Sequence, residues 1–273
     1  MVLTINIEKM TNQLIDHTRD YGMPLDDYQT LPHAVTAKAS DFVGLHAPRH
    51  CHPRAQLIYA GSGVMRIETD VGCWVIPPLR AVWVPPGITH SVNALGKVEM
   101  RTLYIRADIA ARFGAQCSLV EVGPLLRQLI LSLCELPTNY DEAGRGGLIA
   151  QLALQEIRFL GTPALHLPLP ASEKLMRVCQ QMIQQPETPV TIETLADQLA
   201  MSARTLARHF EKETGLSFRQ WRQQARLIEA LARLASQQPV AQVADALGYA
   251  SASAFTAMFR RTLGVEPSRY FVS

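Results

Sequence analysis

Short, mostly apolar runs typical of β-strands dominate the chain between about residues 34 and 107. The clearest runs, rich in β-branched or aromatic side chains, are residues 56–59, 64–67, 73–76 and 81–84. Glycine and proline turns separate them. Closely spaced strands between turn signals are typical of a small sandwich or barrel, so the pattern predicts a β-rich unit here.

Apolar residues recur at helical spacing after residue 106. Over 125–134 and again over 148–160 they repeat every three or four positions, which predicts two consecutive amphipathic helices. Their apolar faces could cover the β-rich unit or pair with a second copy of the chain. Because both faces are broad, we expect them to form a homodimer interface.

Residues 161–170 interrupt both patterns. They include Pro163, Pro168 and Pro170 and show no helical period, which is typical of a semi-rigid linker. The interruption divides the chain into a first domain over 1–160 and a second over 171–273, each long enough to bury a core. Residues 1–32 are mixed in pattern, and we assign them no chemistry.

Two segments of the second domain, 192–215 and 240–264, repeat one skeleton. Leu195-Ala196-Asp197 in the first corresponds to Val243-Ala244-Asp245 in the second, and the extra residue of the second copy falls in its turn. Each copy is predicted to be a short helix, a tight turn and a second helix, which begins after Ser202 or Ser251. This is the helix-turn-helix unit, whose second helix enters a DNA major groove.

Apolar positions over 218–236 predict a partly buried helix between the two units. Its roughly 19 residues span ~29 Å at ~1.5 Å per residue. That length is close to the ~34 Å between successive major-groove faces on one side of DNA. A rigid connector would therefore let one chain reach two adjacent major grooves.

Composition and charge narrow the class of protein. The hydrophobic content of 48% and the charged content of 18% are those of an ordinary soluble globular chain. No run approaches the ~20 apolar residues of a membrane span, and the N-terminus lacks a signal-peptide core, so we expect a cytoplasmic protein without a membrane partner. Five scattered cysteines without a C-x-x-C pair disfavour a disulfide framework and a cysteine zinc site. Residues 171–273 hold twelve Lys and Arg against nine Asp and Glu, which permits DNA binding without demanding it.

Candidate chemistry in the β-rich unit centres on His50, His52, Gln56 and His90. Positions 50, 52 and 56 share parity, so on one extended strand their side chains would project to one face. If His90 arrives from the opposing sheet, three imidazoles and an amide meet inside the barrel. The spacing resembles the two signature motifs of the cupin superfamily, although Gln56 stands where metal-binding members usually have Glu.

Three roles remain open for this set. It could hold a divalent transition metal, although the missing carboxylate removes charge compensation and a strong oxygen ligand. The histidines could instead form hydrogen-bonding walls of an effector pocket, or be structural. Aromatic walls for such a pocket could come from Tyr59, Trp74, Trp83 and Tyr104, which could equally be core residues.

The last hundred or so residues resemble the DNA-binding domain of the AraC/XylS transcription regulators. The motifs in family spacing are S-x-R-T-L-x-R-x-F from Ser202, A-x-x-L-G-Y from Ala244 and F-x-x-x-F-R-R-x-x-G-x-x-P-S-x-Y from Phe255. Membership implies a cupin-like sensor in front of this domain, which the first domain independently suggests. The expected fold class is therefore α+β, with an N-terminal cupin-like β-barrel followed by helices and a C-terminal all-α double helix-turn-helix domain.

The resemblance also implies which side chains touch DNA. The base-reading positions fall on Arg204, Ala207 and Arg208 in the first unit and on Ala252, Ser253, Thr256 and Ala257 in the second. Arginines at i and i+4 can each donate two hydrogen bonds to guanine, so the first unit should read bases more strongly than the second. The candidates for phosphate contacts are Ser202, Lys212, Ser251, Arg260, Arg261 and Arg269.

Three functions are compatible with these features. We expect a ligand-responsive transcription regulator, activator or repressor, that binds promoter DNA as a homodimer, responds to a small-molecule effector and contacts RNA polymerase. Within the family, the chain is similar to members that control an adjacent efflux transporter gene. The alternatives are a metal-dependent cupin enzyme fused to a DNA-binding domain and a constitutive DNA-binding protein whose barrel only dimerises. We do not expect an enzyme, because Gln56 replaces the usual Glu and no obvious catalytic acid lies nearby.

Overall fold

The N-terminal domain is built from antiparallel strands, two of which are long enough to run through both of its layers. The computed structural model describes residues 19–21, 25–44, 46–160 and 165–270. The strands in these ranges are β1 (Arg19–Tyr21), β2 (Val35–Val43), β3 (His46–His50), β4 (Ala55–Thr69), β5 (Gly72–Ile76), β6 (Arg80–Val84), β7 (His90–Ile105), β8 (Ser118–Glu121) and β9 (His166–Pro168). Much of the segment 1–32, to which we assigned no role, lies outside the described residues.

Apart from one short helix before β2, the helices follow β7, and they make up the C-terminal domain. They are α1 (Leu25–Thr30), α2 (Ala107–Ala110), α3 (Pro124–Glu135), α4 (Arg145–Glu156), α5 (Glu173–Gln184), α6 (Ile192–Gln198), α7 (Ala203–Thr214), α8 (Phe218–Ala235), α9 (Val240–Ala246) and α10 (Ala252–Leu263). None of the helices within the described ranges has the length and apolar character needed to cross a membrane.

The long strands β4 and β7 pair with each other and carry the two layers. Their register shifts between residues 60 and 64 of β4. On one side of this shift they pair with β6 and β2, which forms the first layer. On the other side they pair with β5 and β3, which forms the second layer. The predicted runs at 56–59 and 64–67 are therefore two halves of one strand, and the two layers form the expected β-rich unit.

The two faces of the first layer enter different cores. Leu57 on β4 and Leu103 on β7 lie opposite each other and pack beneath α3 and α4. Ile58, the next residue along β4, belongs instead to the core on the other face of the layer. Strand alternation alone explains this division, because successive side chains point to opposite faces. The two amphipathic helices therefore cover the sheet, which is one of the two roles their pattern allowed.

Both helix-turn-helix units show the capping that the repeat predicted. Ser202 accepts a hydrogen bond from the Thr205 N–H, and Ser251 accepts one from the Ala254 N–H, each at 3.1 Å. The recognition helices α7 and α10 end at Gly215 and Gly264, whose φ angles of 71° and 82° are left-handed. Glycine meets that requirement without a steric penalty, so the same skeleton terminates both helices.

Helix α8 joins the two units and also contacts the β-domain. Trp221 is fully buried, and its Nε1 donates to the carbonyl oxygen of Pro168 at 2.7 Å. One turn further along, Gln224 donates to the carbonyl of His166. Arg66 on β4 forms an ion pair with Glu229 at 3.0 Å. The connector is therefore held by both domains.

Part of the predicted linker is a strand. Residues 166–168 form β9, which pairs with β5 at the edge of the second layer, and residues 161–164 lie outside the described ranges. The imidazole of His166 stacks on Trp74, with ring centroids 4.4 Å apart and an interplanar angle of 14°. The proline content alone predicted a linker. These residues form a strand because they pair with β5 and stack on Trp74, and both partners are distant in the chain.

Replacing His166 with Phe should flatten the acid side of the stability profile. Burial lowers the pKa of His166 to about 4, whereas an unfolded histidine titrates near ~6.5. The unfolded chain therefore binds more protons below pH ~6.5, and stability falls until about pH 4. Urea unfolding at pH 7 and at pH 4 measures how much free energy of unfolding each protein loses between the two pH values. This loss should be smaller by ~2–3 kcal/mol in His166→Phe than in the wild type, because phenylalanine keeps the stack on Trp74 and binds no proton. An equal loss in both proteins would contradict a buried, neutral His166.

Candidate DNA-binding face and histidine site

The first recognition helix, α7, presents two arginines to solvent. Its inner side buries Leu206 and Phe210, each 1% exposed, in the domain core. Arg204 and Arg208 stand on the outer side and are exposed, with Ala207 half-buried between them. Neither arginine has an ion-pair or hydrogen-bond partner within the described ranges. Both guanidinium groups therefore keep their donors for a ligand, and the paired acceptors of guanine match that geometry.

The second recognition helix, α10, has the same framework and a different outer face. Phe255 and Phe259 are fully buried. Ser253 and Ala257 are exposed, whereas Ala252 and Thr256 are half-buried. These side chains offer hydroxyl groups and methyl groups in place of guanidinium donors. Groups of this kind make fewer directed hydrogen bonds to base edges than a guanidinium group does.

All six candidate phosphate-binding side chains, Ser202, Lys212, Ser251, Arg260, Arg261 and Arg269, are exposed. The two serine oxygens already accept the capping hydrogen bonds of α7 and α10, although their hydroxyl protons can still be donated. Arg260 lies 3.9 Å from Glu266, and the two side chains are 69% and 45% exposed. Solvated pairs of this kind are worth little, so the charge of Arg260 remains available to DNA.

Three histidine rings meet where β3 and β7 pair. His50 lies opposite His90 in the register, with ring centroids 4.5 Å apart. His52 follows in the next turn, and its ring lies 4.7 Å from His50 and 5.4 Å from His90. We expected His50, His52 and Gln56 to project from one extended strand. This is wrong, because β3 ends at His50 and β4 begins at Ala55. The turn between those strands, not a shared strand face, brings His52 to the cluster.

Backbone carbonyls fix the tautomers of two of these rings. Nδ1 of His50 lies 2.6 Å from the oxygen of Pro48, and Nδ1 of His90 lies 2.9 Å from the oxygen of Ile88. Each Nδ1–H therefore donates, which leaves the Nε2 lone pair for a ligand. Burial, reinforced by His50, lowers the pKa of His52 to about 4, and burial lowers the pKa of His90. Both rings are neutral near pH 7.

These donors fit a divalent transition metal. One ligand atom from each histidine lies within 4.8 Å of the others. Nε2 of His52, Nε2 of His90 and Oε1 of Gln56 are buried without a hydrogen-bond partner among the described residues. Neutral imidazole nitrogens are common ligands of Zn²⁺ and its neighbours. The three histidines would hold such an ion, which could polarise a carbonyl or carboxylate group of a ligand.

The predicted aromatic walls divide between two cores. The ring of Tyr104 lies 5.9 Å from His52, so this residue does border the histidines. Trp74 faces Ile67 in the register of the second layer. Tyr59 and Trp83, in contrast, pack beneath α3 and α4, where Trp83 lies 5.0 Å from Phe113. Tyr59 and Trp83 are therefore not pocket walls, because their strand positions point them to the helical side.

A polar row on β2 was missed by sequence reasoning. Thr36, Lys38 and Ser40 are all buried, and Lys38 is only 8% exposed. The register places Thr36 opposite Tyr104 and Lys38 opposite Thr102. Their alternation with Val35 and Ala37, which enter the helix-side core, was a detectable signal. The inner face of the first layer thus carries a buried cation together with hydroxyl groups.

Two protein families match this chain. The family described as "Helix-turn-helix domain" matches residues 195–272, and the family described as "AraC-like ligand binding domain" matches residues 32–158. The HTH-type transcriptional regulator NimR of Escherichia coli (strain K12) is 37% identical over 226 residues, covering 83% of this chain and 82% of NimR. RipA of Corynebacterium glutamicum, also an HTH-type transcriptional regulator, is 39% identical over 103 residues, covering 38% of this chain and 31% of RipA. A solved structure of ToxT from Vibrio cholerae is 11% identical with a TM-score of 0.37, covering 88% of this chain and 98% of that one.

The histidine cluster predicts a measurable affinity for transition metals. Titration of the EDTA-treated protein with Zn²⁺ or Ni²⁺ should show one site per chain. His90→Ala should weaken the affinity for the metal by roughly 10–100-fold or more, because even the loss of a group that only hydrogen-bonds to a metal ligand weakens binding to that extent. His209→Ala, an exposed histidine on α7, should bind as the wild type does. Equal affinities in all three proteins, or no binding by the wild type, would contradict a metal site.

Proposed function

Since this chain belongs to the AraC-type family of transcription regulators, we propose that it binds promoter DNA through α7 and α10 and responds to a small molecule in its β-domain. The observation that carries this proposal is the pair of capped recognition helices with solvent-facing outer sides, joined by one buried connector. Such an arrangement offers two helices of one chain to DNA. We propose that α7 selects the sequence through Arg204 and Arg208 and that α10 contributes mainly backbone contacts.

The inner face of the β-domain supports the effector-binding part of the proposal. His52 and Gln56, which carry an unpartnered nitrogen and an unpartnered oxygen, lie beside Tyr104, and the unpartnered nitrogen of His90 belongs to the ring next to His52. The row containing Lys38 adds further polar groups to this face. Buried polar atoms without partners are costly unless a ligand or water satisfies them. A small molecule with polar groups would satisfy several at once.

A metal-dependent enzyme is the second candidate, and the histidine cluster is the observation that favours it. The grouping of metal-ligating side chains in the described part of the chain contains three histidines and no carboxylate. Hydrolytic and oxidative chemistry at such sites usually needs a nearby acid or base. We therefore propose that the cluster recognises an effector, directly or through an ion, and that the chain is not an enzyme.

We propose that the functional form is a cytoplasmic homodimer assembled through α3 and α4. Leu125, Leu148 and Leu152 remain 49%, 65% and 43% exposed on these helices after they have covered the sheet. Leu148 and Leu152 are one turn apart, so they form one apolar stripe. A second copy of the chain would bury this stripe. Contact with RNA polymerase and control of an adjacent efflux transporter gene stay predictions from the family resemblance.

Arg208→Ala should weaken binding to the specific site by ~1–3 kcal/mol and relax the preference at one base pair. The reason is the loss of two hydrogen bonds to a single guanine.

Arg261→Ala should instead weaken binding to every sequence and reduce the slope of log affinity against log salt by ~1. Both can be measured by fluorescence anisotropy on a duplex selected by the wild-type protein and on its scrambled counterpart. An equal loss on both duplexes in Arg208→Ala would assign that residue to the backbone.

Leu148→Glu should shift the protein from dimer to monomer, because it places a charge in the apolar stripe. We expect the dimer dissociation constant to rise roughly tenfold or more. Sedimentation equilibrium measures this, and Val43→Glu provides a control at a position of similar exposure, 61%, on β2. A monomeric wild type, or disruption by the control alone, would refute the assignment of the interface to α3 and α4.

A further inference from the structure

A basic groove lies between the two helix-turn-helix units. It encloses about 490 Å³. Its walls come from the start of α6 in the first unit, the first half of α8, and α10 in the second unit. The groove therefore lies between elements of the first unit, the connector and the second recognition helix.

The charge of this groove is all of one sign. Its lining includes Arg219, Arg222, Arg226 and Arg261 and no acidic residue. Two of these arginines build the wall. Arg222 donates to the oxygens of Val190 and Thr188 at 2.6 and 2.8 Å, and Arg226 donates to the oxygen of Pro186 at 3.0 Å. Because their partners are neutral carbonyls, the positive charge of both groups remains uncompensated.

The other two arginines stand at the rim. Arg219 and Arg261 are exposed, and neither has a hydrogen-bond or ion-pair partner within the part of the chain that the structure describes. Arg219 also shares a face of α8 with Arg222 and Arg226, at i, i+3 and i+7. The side of α8 that carries Trp221 and Ile228 is buried and holds the contacts to the β-domain. Arg219, Arg222 and Arg226 line the groove, and the same row reaches the β-domain only further along α8, where Glu229 pairs with Arg66.

We propose that this groove binds the sugar-phosphate backbone between the two major grooves, with Arg219 and Arg261 donating to phosphate oxygens. The inference rests on the proposed DNA-binding function and adds a contact surface on the connector. On one side of B-DNA, two successive major-groove faces are separated by a minor groove bordered by phosphates. A cleft with four arginines and no carboxylate matches that anionic element, and such contacts fix the register of a protein on DNA without reading sequence.

The test compares Arg219→Ala, Arg219→Lys and the wild type on two duplexes. One duplex is selected from a random library by the wild-type protein, and the other is its scrambled counterpart. Arg219→Ala should weaken binding to both by the same factor, roughly three- to tenfold, and lower the slope of log affinity against log salt by ~0.9. Arg219→Lys should retain the slope because it retains the charge. Arg177→Ala removes an exposed arginine of α5, outside the groove, and should change neither quantity.

An unchanged salt slope in Arg219→Ala would overturn the groove proposal, as would a loss confined to the selected duplex. Either outcome would leave the proposed function standing, provided that the wild type still prefers the selected duplex. A wild type without that preference would instead refute sequence-specific DNA binding itself. Far-ultraviolet circular dichroism confirms that each variant is folded. If the alanine variant is not, Arg219→Gln, which removes the charge but keeps a long side chain that favours a helix, should lower the slope by the same ~0.9, and an unchanged slope would overturn the proposal.

Discussion

Burial of the connector helix α8 is the constraint on which the arrangement of the whole molecule depends. Trp221 and Leu231 are fully buried at opposite ends of this helix. The ring of Trp221 packs edge-on against Phe210 of the first recognition helix, at 5.7 Å. Further along, α8 contacts α9 of the second unit, and its flank contacts β4, β5, β7 and β9. One amphipathic helix therefore fixes two recognition helices and the β-domain relative to one another.

That arrangement suggests how occupancy of the β-domain could reach DNA. Glu229 on α8 accepts from Arg66 of β4 and from Arg233 of its own helix, each at 3.0 Å. The strand β9 pairs with β5 while its carbonyls accept hydrogen bonds from the side chains of α8. A ligand that binds the docked and undocked arrangements unequally would shift the population that presents both recognition helices. Such coupling would run through packed contacts, whereas the proline content had predicted a semi-rigid linker.

Local signals in the sequence were sufficient for the C-terminal domain and only partly so for the β-domain. Serine caps, glycine ends and helical periodicity act over a few residues, so the limits of α7 and α10 could be read directly. The histidine cluster was also anticipated, although the turn that delivers His52 was not. Tyr59 and Trp83 were misplaced because residue type does not reveal which face of a layer meets helices. Lys38 was missed because a charged residue in a strand is usually solvated, and its burial here depends on strands distant in the chain.

The central claim is that one chain places two recognition helices in successive major grooves on one side of DNA. Hydroxyl-radical footprinting of the wild-type protein on a selected duplex tests it most directly. The account predicts two protected stretches per chain, displaced by about one helical turn, ~10–10.5 base pairs, on the same side of the duplex. The stretch contacted by α7 should coincide with the positions at which base substitutions weaken binding most. A single protected stretch per chain, or two stretches on opposite sides of the duplex, would contradict the rigid connector and the account built on it.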